Sequence, residues 1–385
     1  MKSIKALLLT TVVASGIACA SNSSREKIPT NDPVVLKEAF QGRFYIGTAL
    51  NLDQIWERDG EAIALVQQQF NSIVAENCMK SMYLQPREGE FNFTDADRFV
   101  AFGQKHDMHL VGHTLIWHSQ APRWFFSDEN GKDVSRDVLI ARMRSHIHKV
   151  VSRYKGKIAG WDVVNEAVLD NGEYRKSKFY QIIGEDFIPL AFQFAHEADP
   201  DAELYYNDYS TAIPAKRDGI VKVVKSIQER GIPIHGIGMQ EHQGLYHPEL
   251  DEIEKTILAF SSTGAKVMVT ELDVSVLPHA RENQGAEISE TYAYKNELNP
   301  YVDGLPDSVM NKLGERYVNF FKVYLKHSDK ISRVTLWGVG DQYSWKNGWP
   351  IPGRTDYPLL FDRNFKPKPF VQDIVSLARN AAEIK

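Results

Sequence analysis

The sequence predicts an α/β protein whose residues 32–385 form a single domain, a (β/α)8 or TIM barrel. Eight short apolar runs alternate along the chain with amphipathic segments, as in proteins built from repeated strand–helix units. The runs are nearly continuous in apolar residues, which is typical of parallel strands covered on both faces. The chain also has a suitable length for one such barrel.

The eight predicted strands are distributed evenly over the chain. They begin at Phe44, Asn71, His109, Ile158, Glu203, His235, Lys266 and Ser332. An open, doubly wound sheet is the alternative arrangement of such runs. No G-x-G-x-x-G motif opens a helix after a strand, however, so the closed barrel is the favoured fold.

The segments between the runs have the periodicity of helices that bury one face. One predicted face comprises Leu139, Met143, Ile147, Val150 and Tyr154. Similar faces start at Ile220 and Leu313. Gly231 and Gly264 follow two of the helical segments and predict left-handed C-terminal caps.

Polar residues gather at the carboxyl ends of six of the predicted strands. They are Glu76, Asn77, Lys80, His113, His118, Asn165, Glu166, Asn207, Asp208, Gln240, His242, Glu271 and Asp273. The carboxyl ends of barrel strands converge on the face where active sites form. Because a purely structural barrel does not require this pattern, we expect a functional site there.

The first residues of the chain predict export. Lys2 and Lys5 precede an apolar run over 6–20 that is too short for a membrane span, so residues 1–20 are interpreted as a signal peptide. Cleavage after Ala20 would release a secreted or periplasmic protein, whereas lipidation of Cys19 would anchor it to the cell envelope. Residues 21–31 are polar and predict a tether. We expect no transmembrane segment.

Composition limits the class of partner. The formal net charge is -5, which offers no basic patch to a phosphate backbone, so nucleic acid is not an expected partner. We expect the protein to be a monomer.

Two glutamates carry the predicted chemistry. Glu166 and Glu271 each follow a strand rich in β-branched residues, and a carboxylate pair across a cleft can cleave a glycosidic bond. A structural salt bridge is the alternative for each glutamate alone.

A metal site is the competing prediction for this face, since His113, His118 and His242 belong to it. No H-E-x-x-H or cysteine-rich spacing is present, and Lys80 beside Glu76 would repel a cation. We therefore predict neither a metal nor another cofactor.

Seven segments, in order along the chain, resemble motifs of family-10 glycoside hydrolases, which are mainly endo-β-1,4-xylanases. They are ENCMK (76–80), GHTLIWHSQ (112–120), WDVVNE (161–166), YYNDY (205–209), GIGMQEH (236–242), VTELD (269–273) and VTLWGVGDQYSW (334–345). The resemblance covers roughly residues 31–380. It implies a barrel enzyme that hydrolyses xylan and xylo-oligosaccharides by a retaining double displacement.

The resemblance also implies residue roles. Glu166 would be the general acid/base and Glu271 the nucleophile, with His242 and Asp273 keeping Glu271 ionised and aimed. Asn165 would bind the sugar 2-hydroxyl. The implied glycone-side contacts are Glu76, Asn77, Lys80, His113, Trp117 and Gln240, with Trp337 and Trp345 as an apolar floor and wall. Gln120 and Trp345 would exclude the hydroxymethyl group of a hexose, and Tyr209 would lie on the leaving-group side.

Two alternative functions are weighed against this expectation. One is hydrolysis of another β-1,4-glycan on the same barrel, and the other is a surface glycan-binding protein without catalysis. A non-catalytic protein would be expected to have lost one carboxylate, and both are present.

The segment 279–308 has no core pattern and predicts a long loop on the catalytic face.

Overall fold

The computed structural model describes residues 35–278, 297–350 and 352–382. The predicted signal peptide (1–20) and tether (21–31) lie outside the described residues, as does most of the predicted loop (279–308). Among the helices in the described ranges, none is long and apolar enough to cross a membrane.

The strands of the described ranges form one closed parallel barrel. Their bounds are β1 (Tyr45–Leu50), β2 (Ser72–Ala75), β3 (His109–Trp117), β4 (Gly160–Asn165), β5 (Glu203–Asp208), β6 (Gly236–Met239), β7 (His242–Gly244), β8 (Lys266–Ser275) and β9 (Ile331–Leu336). Strands β1 to β6 pair in order, β6 pairs with β8, β8 with β9, and β9 with β1. The predicted (β/α)8 class is thereby confirmed.

Strand β7 is the exception to the eight-strand pattern. The sixth apolar run was predicted as one strand, but it divides into β6 and the three-residue β7, which pairs with the end of β8. The break falls at Glu241, whose φ of 61° lies in the left-handed region and turns the chain.

Helices surround the barrel and bury the predicted faces. Their bounds are α1 (Leu36–Ala39), α2 (Leu52–Ile55), α3 (Gly60–Gln69), α4 (Ser81–Leu84), α5 (Thr94–Lys105), α6 (Arg136–Arg153), α7 (Lys178–Ile183), α8 (Phe187–Ala198), α9 (Pro214–Gln228), α10 (Leu250–Ser261), α11 (Asp307–Lys326) and α12 (Val371–Ala382). The five residues predicted to share a face from Leu139 to Tyr154 are all buried. Gly231 and Gly264 have φ of 70° and 84°, as expected of left-handed caps.

Four residues with left-handed backbone follow successive barrel strands. Gln120 comes after β3, Glu166 after β4, Ser210 after β5 and Glu241 after β6, with φ between 49° and 61°. Non-glycine residues in this region are uncommon and often lie at functional sites. The chain therefore turns sharply after the carboxyl end of each of these four strands.

Candidate active site

Three neighbouring strands bring polar side chains into one layer at the barrel mouth. The register pairs Trp117 of β3 with Asn165 of β4, and Asn165 with Asn207 of β5. Because paired residues of a parallel sheet stand side by side, these three side chains form a row that leads from Trp117 towards β6.

Glu166 lies directly beyond this row and receives three hydrogen bonds. The indole Nε1 of Trp117 donates to Oε2 at 2.8 Å, and Nε2 of Gln240 donates to Oε1 at 3.0 Å. Asn165 Nδ2 lies 3.3 Å from the same Oε1. The backbone N–H of Glu166 donates to the carbonyl of Asn207 at 2.9 Å. The carboxylate is therefore fixed both from β3 and from the residue that follows β6.

Glu271, on β8, is buried with only 5% of its surface exposed. Asn207 Nδ2 donates to its Oε1 at 2.8 Å, and His242 Nε2 lies 3.1 Å from its Oε2. Burial alone would raise the pKa of Glu271. The hydrogen bond from His242 and the charges of His113 and His242 outweigh burial, so the pKa lies below its usual value. Glu271 is thus held as a buried anion.

Asn207 reaches Glu271 across β6 because position 238 is glycine. A Cβ atom at Gly238 would lie 2.2 Å from Asn207 Oδ1 and 2.8 Å from a methyl carbon of Thr270. In its absence, the hydroxyl of Thr270 donates to Asn207 Oδ1 at 2.7 Å, which orients the amide nitrogen towards Glu271. This close approach requires a residue without a side chain.

His242 connects Glu271 to a second buried carboxylate. Its Nδ1 lies 2.9 Å from Oδ2 of Asp273, which also accepts from the indole of Trp345 at 2.8 Å. Lys346 Nζ is 3.4 Å from the other oxygen of Asp273. Burial would lower the pKa of His242, but Asp273 and Glu271 outweigh it and raise the pKa to about 9. The imidazole is therefore a cation that can donate to both carboxylates.

Lys80 is the buried cation on the opposite side of the mouth. Its Nζ donates to Asn77 Oδ1 at 2.9 Å and to Gln120 Oε1 at 2.8 Å, and it lies 4.9 Å from the ring centre of Trp117. Burial lowers its pKa, although the charges of Glu271, Glu76 and Glu166 oppose that change. Burial also raises the pKa of Glu76. Lys80 therefore joins Asn77, Gln120 and Trp117 in one polar cluster.

His113 lies on β3, and a buried carboxylate orients its imidazole ring. Its Nδ1 lies 2.9 Å from Oδ2 of Asp162, whose other oxygen is 3.7 Å from Arg333. With Nδ1 bound to Asp162, the remaining Nε2 is available for a ligand. The ring of Trp337 stands edge-on to His113 at 5.4 Å and belongs to a buried apolar cluster that includes residues from five barrel strands.

Arg175 joins Glu166 to Tyr209. Its Nε donates to the backbone carbonyl of Glu166 at 2.9 Å, and its Nη2 donates to the hydroxyl of Tyr209 at 2.7 Å. Beneath them, buried Asp208 forms a 3.0 Å ion pair with Lys216, and burial raises the pKa of Asp208 to about 6. This cluster fixes the chain that follows Glu166.

The structure brings the predicted site residues together at the carboxyl ends of the strands. The sequence interpretation gave no role to four residues that the structure links to them: Asn207, Asp162, Arg175 and Lys346. Asn207 carried a signal, since it is the second-to-last residue of β5, whereas the other three residues make contacts that join positions distant along the chain. In the described part of the chain, no three His, Cys, Asp or Glu residues are arranged to hold a metal ion.

A closed parallel barrel with two carboxylates in one hydrogen-bond network at its mouth is an arrangement that glycoside hydrolases use. The family model described as "Glycosyl hydrolase family 10" matches residues 35–377, and the chain belongs to that family.

The chain is also similar to known proteins over most of its length. The chain is 54% identical over 350 residues to "Endo-1,4-beta-xylanase A" of Xylanibacter ruminicola, covering 91% of this chain and 95% of the relative. It is 42% identical to "Endo-1,4-beta-xylanase" of Geobacillus stearothermophilus, covering 89% and 98%. A solved structure of a GH10 endoxylanase from a sugarcane soil metagenome superposes with a TM-score of 0.84 at 47% identity, covering 90% and 100%.

Proposed function

We propose that this chain is an endo-1,4-β-xylanase in which Glu166 is the general acid/base and Glu271 the nucleophile. The family and the named relatives support the reaction, and retention of anomeric configuration is general in the family. The difference between the two carboxylates supports the roles. Glu271 is buried and held ionised by His242, as a nucleophile requires, whereas Glu166 lies nearer to solvent at the mouth.

The proposed reaction proceeds in two displacements. In the first, Glu166 protonates the glycosidic oxygen while Glu271 attacks the anomeric carbon and the leaving chain departs. In the second, Glu166 removes a proton from water, and the resulting hydroxide displaces Glu271. The two inversions give net retention, and the proton that Glu166 gives to the leaving chain in the first displacement is regained from water in the second.

We also propose the subsite assignments. On the glycone side, hydroxyl groups would bind the polar cleft of Glu76, Asn77, Lys80, His113 and Gln240, with Trp117 beside them. Asn165 would bind the 2-hydroxyl, and Tyr209 would contact the leaving chain. The hydrogen bonds that already orient these side chains support the assignment, because a preorganised site loses little entropy on binding.

The roles of the two glutamates are tested by contrasting leaving groups. Glu166→Ala should nearly abolish xylan cleavage but still form the glycosyl-enzyme from a dinitrophenyl glycoside, because an acidic aryl group departs without protonation. Azide should then rescue turnover as the β-glycosyl azide. Glu271→Ala should be inactive on both substrates. A general acid/base contributes about 10²–10⁴-fold, so the contrast is measurable.

Two outcomes would contradict the assignment. An exchanged rescue pattern would reverse the roles, and full activity in both variants would place the site elsewhere. Proton NMR of the first product adds an independent check, since an initial α-anomer would exclude Glu271 as nucleophile. Product analysis on arabinoxylan, glucuronoxylan and carboxymethyl cellulose tests the alternative function, which is hydrolysis of another β-1,4-glycan.

We further propose that the protein is exported and monomeric. The basic and apolar start of the sequence supports export, with cleavage after Ala20 and lipidation at Cys19 as its two forms. The mass of the mature N-terminal peptide separates these forms, and light scattering tests the monomer.

A further inference from the structure

The amino-terminal face of the barrel, opposite the active site, carries a cleft of about 580 Å³. Its walls are the loops that lead into β3, β4 and β5, together with the start of β1. This volume falls within the range of about 300–1,000 Å³ that small-molecule sites occupy. The mechanism proposed above uses none of its residues.

An aromatic pair forms one wall of this cleft. Tyr45 and His109 stack with ring centres 4.4 Å apart and planes inclined by 18°. Tyr45 nevertheless remains 44% exposed, which is unusual for a large ring at the start of a barrel strand. The hydroxyl of Tyr45 has no hydrogen-bond partner among the described residues. A rigid, partly exposed ring of this kind presents an apolar surface to a ligand.

Polar side chains surround the ring. Asp107, Lys157 and Asp201 are exposed at the rim, and Asp199 is buried deeper in the wall. Lys155 Nζ lies 4.0 Å from Asp199, so three carboxylates face two lysines and give no excess of positive charge to suit an anion. Burial, with smaller contributions from Arg333 and Lys266, lowers the pKa of His109 to about 4, so its imidazole is neutral. The carboxylates do not converge as metal ligands within the described ranges.

We propose that this cleft is a second binding site for a neutral pyranose chain, namely a stretch of the xylan that the active site cleaves. A pyranose has apolar C–H faces that suit an aromatic ring and hydroxyl edges that donate to carboxylates. Apolar residues Met108 and Leu110 complete the floor. The proposal rests on the proposed function for the identity of the polymer.

Two sites on opposite faces would hold the enzyme on insoluble substrate by multivalent attachment. Binding at the cleft keeps the enzyme at high effective concentration near the polymer while the active site releases one stretch of xylan and binds another. Short soluble oligosaccharides cannot reach both faces, so the second site should affect polymer binding and leave their hydrolysis unchanged.

The test measures retention by soluble arabinoxylan in native gels and depletion onto insoluble xylan. Both use the full chain carrying Glu271→Gln, so that the polymer is not cleaved. Tyr45→Ala and, separately, Asp201→Ala should each weaken retention, the former by about tenfold. Tyr45→Phe keeps the ring and should bind as the parent does. Leu258→Ala is the matched control, since Leu258 is also 44% exposed but lies on α10.

Hydrolysis of xylotetraose, measured with Glu271 intact, should be the same in all four variants. Equal retention by Tyr45→Ala, Asp201→Ala and the parent would overturn the second site, and so would an equal loss in Leu258→Ala. Failure of the proposed function is distinguishable, because the unaltered protein would then cleave neither xylotetraose nor xylan.

Discussion

The side-chain amide of Asn207 donates a hydrogen bond of 2.8 Å to Oε1 of Glu271. The same nitrogen lies 3.0 Å from Oδ1 of Asn165, and Asn165 contacts Glu166. Two amides on neighbouring strands therefore connect the two carboxylates. Because the barrel register fixes both amides, it also fixes the relative placement of the two groups that are proposed to act on opposite sides of one bond.

Asn207→Ala should lower kcat/KM on an aryl xyloside by about 10- to 100-fold. A hydrogen bond to a charged group contributes about 1.5–3 kcal/mol, and its loss leaves Glu271 less well aimed. Steady-state kinetics measure the change. Asn319→Ala, on the outer helix α11, is the control and should match the parent; an unchanged kcat/KM in Asn207→Ala would show that Glu271 is held by other contacts.

The stability contributed by His242 should depend on pH. Its pKa is raised from 6.5 to about 9, so its contribution is fully present below pH 6.5 and is lost as the pH rises through 9. The parent should therefore lose more stability than His242→Gln between pH 6 and 10, by at most roughly 3 kcal/mol.

Denaturant unfolding at several pH values measures this difference. His148→Gln, which removes a surface histidine that pairs with Glu197, is the control for substitution of an imidazole outside the active site. Parallel stability curves for the parent and His242→Gln would mean that His242 is not charged in the folded protein.

Trp345→Ala should raise activity on cello-oligosaccharide glycosides relative to the xylose analogues, because the proposed wall against a hydroxymethyl group is removed. The same change deletes the hydrogen bond to Asp273, so Trp345→Phe provides the comparison. The phenylalanine variant keeps most of the wall and should retain the preference for xylose. Equal losses on both sugars in Trp345→Ala would locate the wall elsewhere.

Gly112→Ala should destabilise the barrel by about 1–3 kcal/mol or more. A Cβ atom there would lie 2.1 Å from Cε3 of Trp161, a fully buried ring with no space to move. Thermal unfolding checks the effect. Gly60→Ala, at the start of α3, is the matched control. The added Cβ would meet nothing within 4 Å, so this substitution should not lower the stability of the protein.

Overnight treatment with EDTA should leave xylan hydrolysis unchanged, since the proposed displacements require only the two carboxylates. Activity before and after chelation is the measurement. Loss of activity that zinc or calcium restores would revive a metal role for His113, His118 or His242.

The sequence predicted the barrel because hydrophobic periodicity is a local property of each run. It predicted the strand-end glutamates for the same reason, as polar residues ending apolar segments stand out. The division of the sixth run was not predictable, because Glu241 adopts a left-handed backbone that its residue type does not favour. Contacts such as Arg175 with Tyr209 join residues 34 positions apart, and only the closed fold brings them together.

The His242–Asp273–Lys346 group also bears on the second displacement. While Glu271 is ionised, the four residues carry two negative and two positive charges. In the proposed glycosyl-enzyme, Glu271 is bonded to the sugar as a neutral ester, and the remaining three residues carry one positive charge in excess. That excess stabilises the carboxylate as it reappears. The environment that prepares Glu271 to attack should therefore also make it a good leaving group, so that neither half of the reaction is accelerated at the expense of the other.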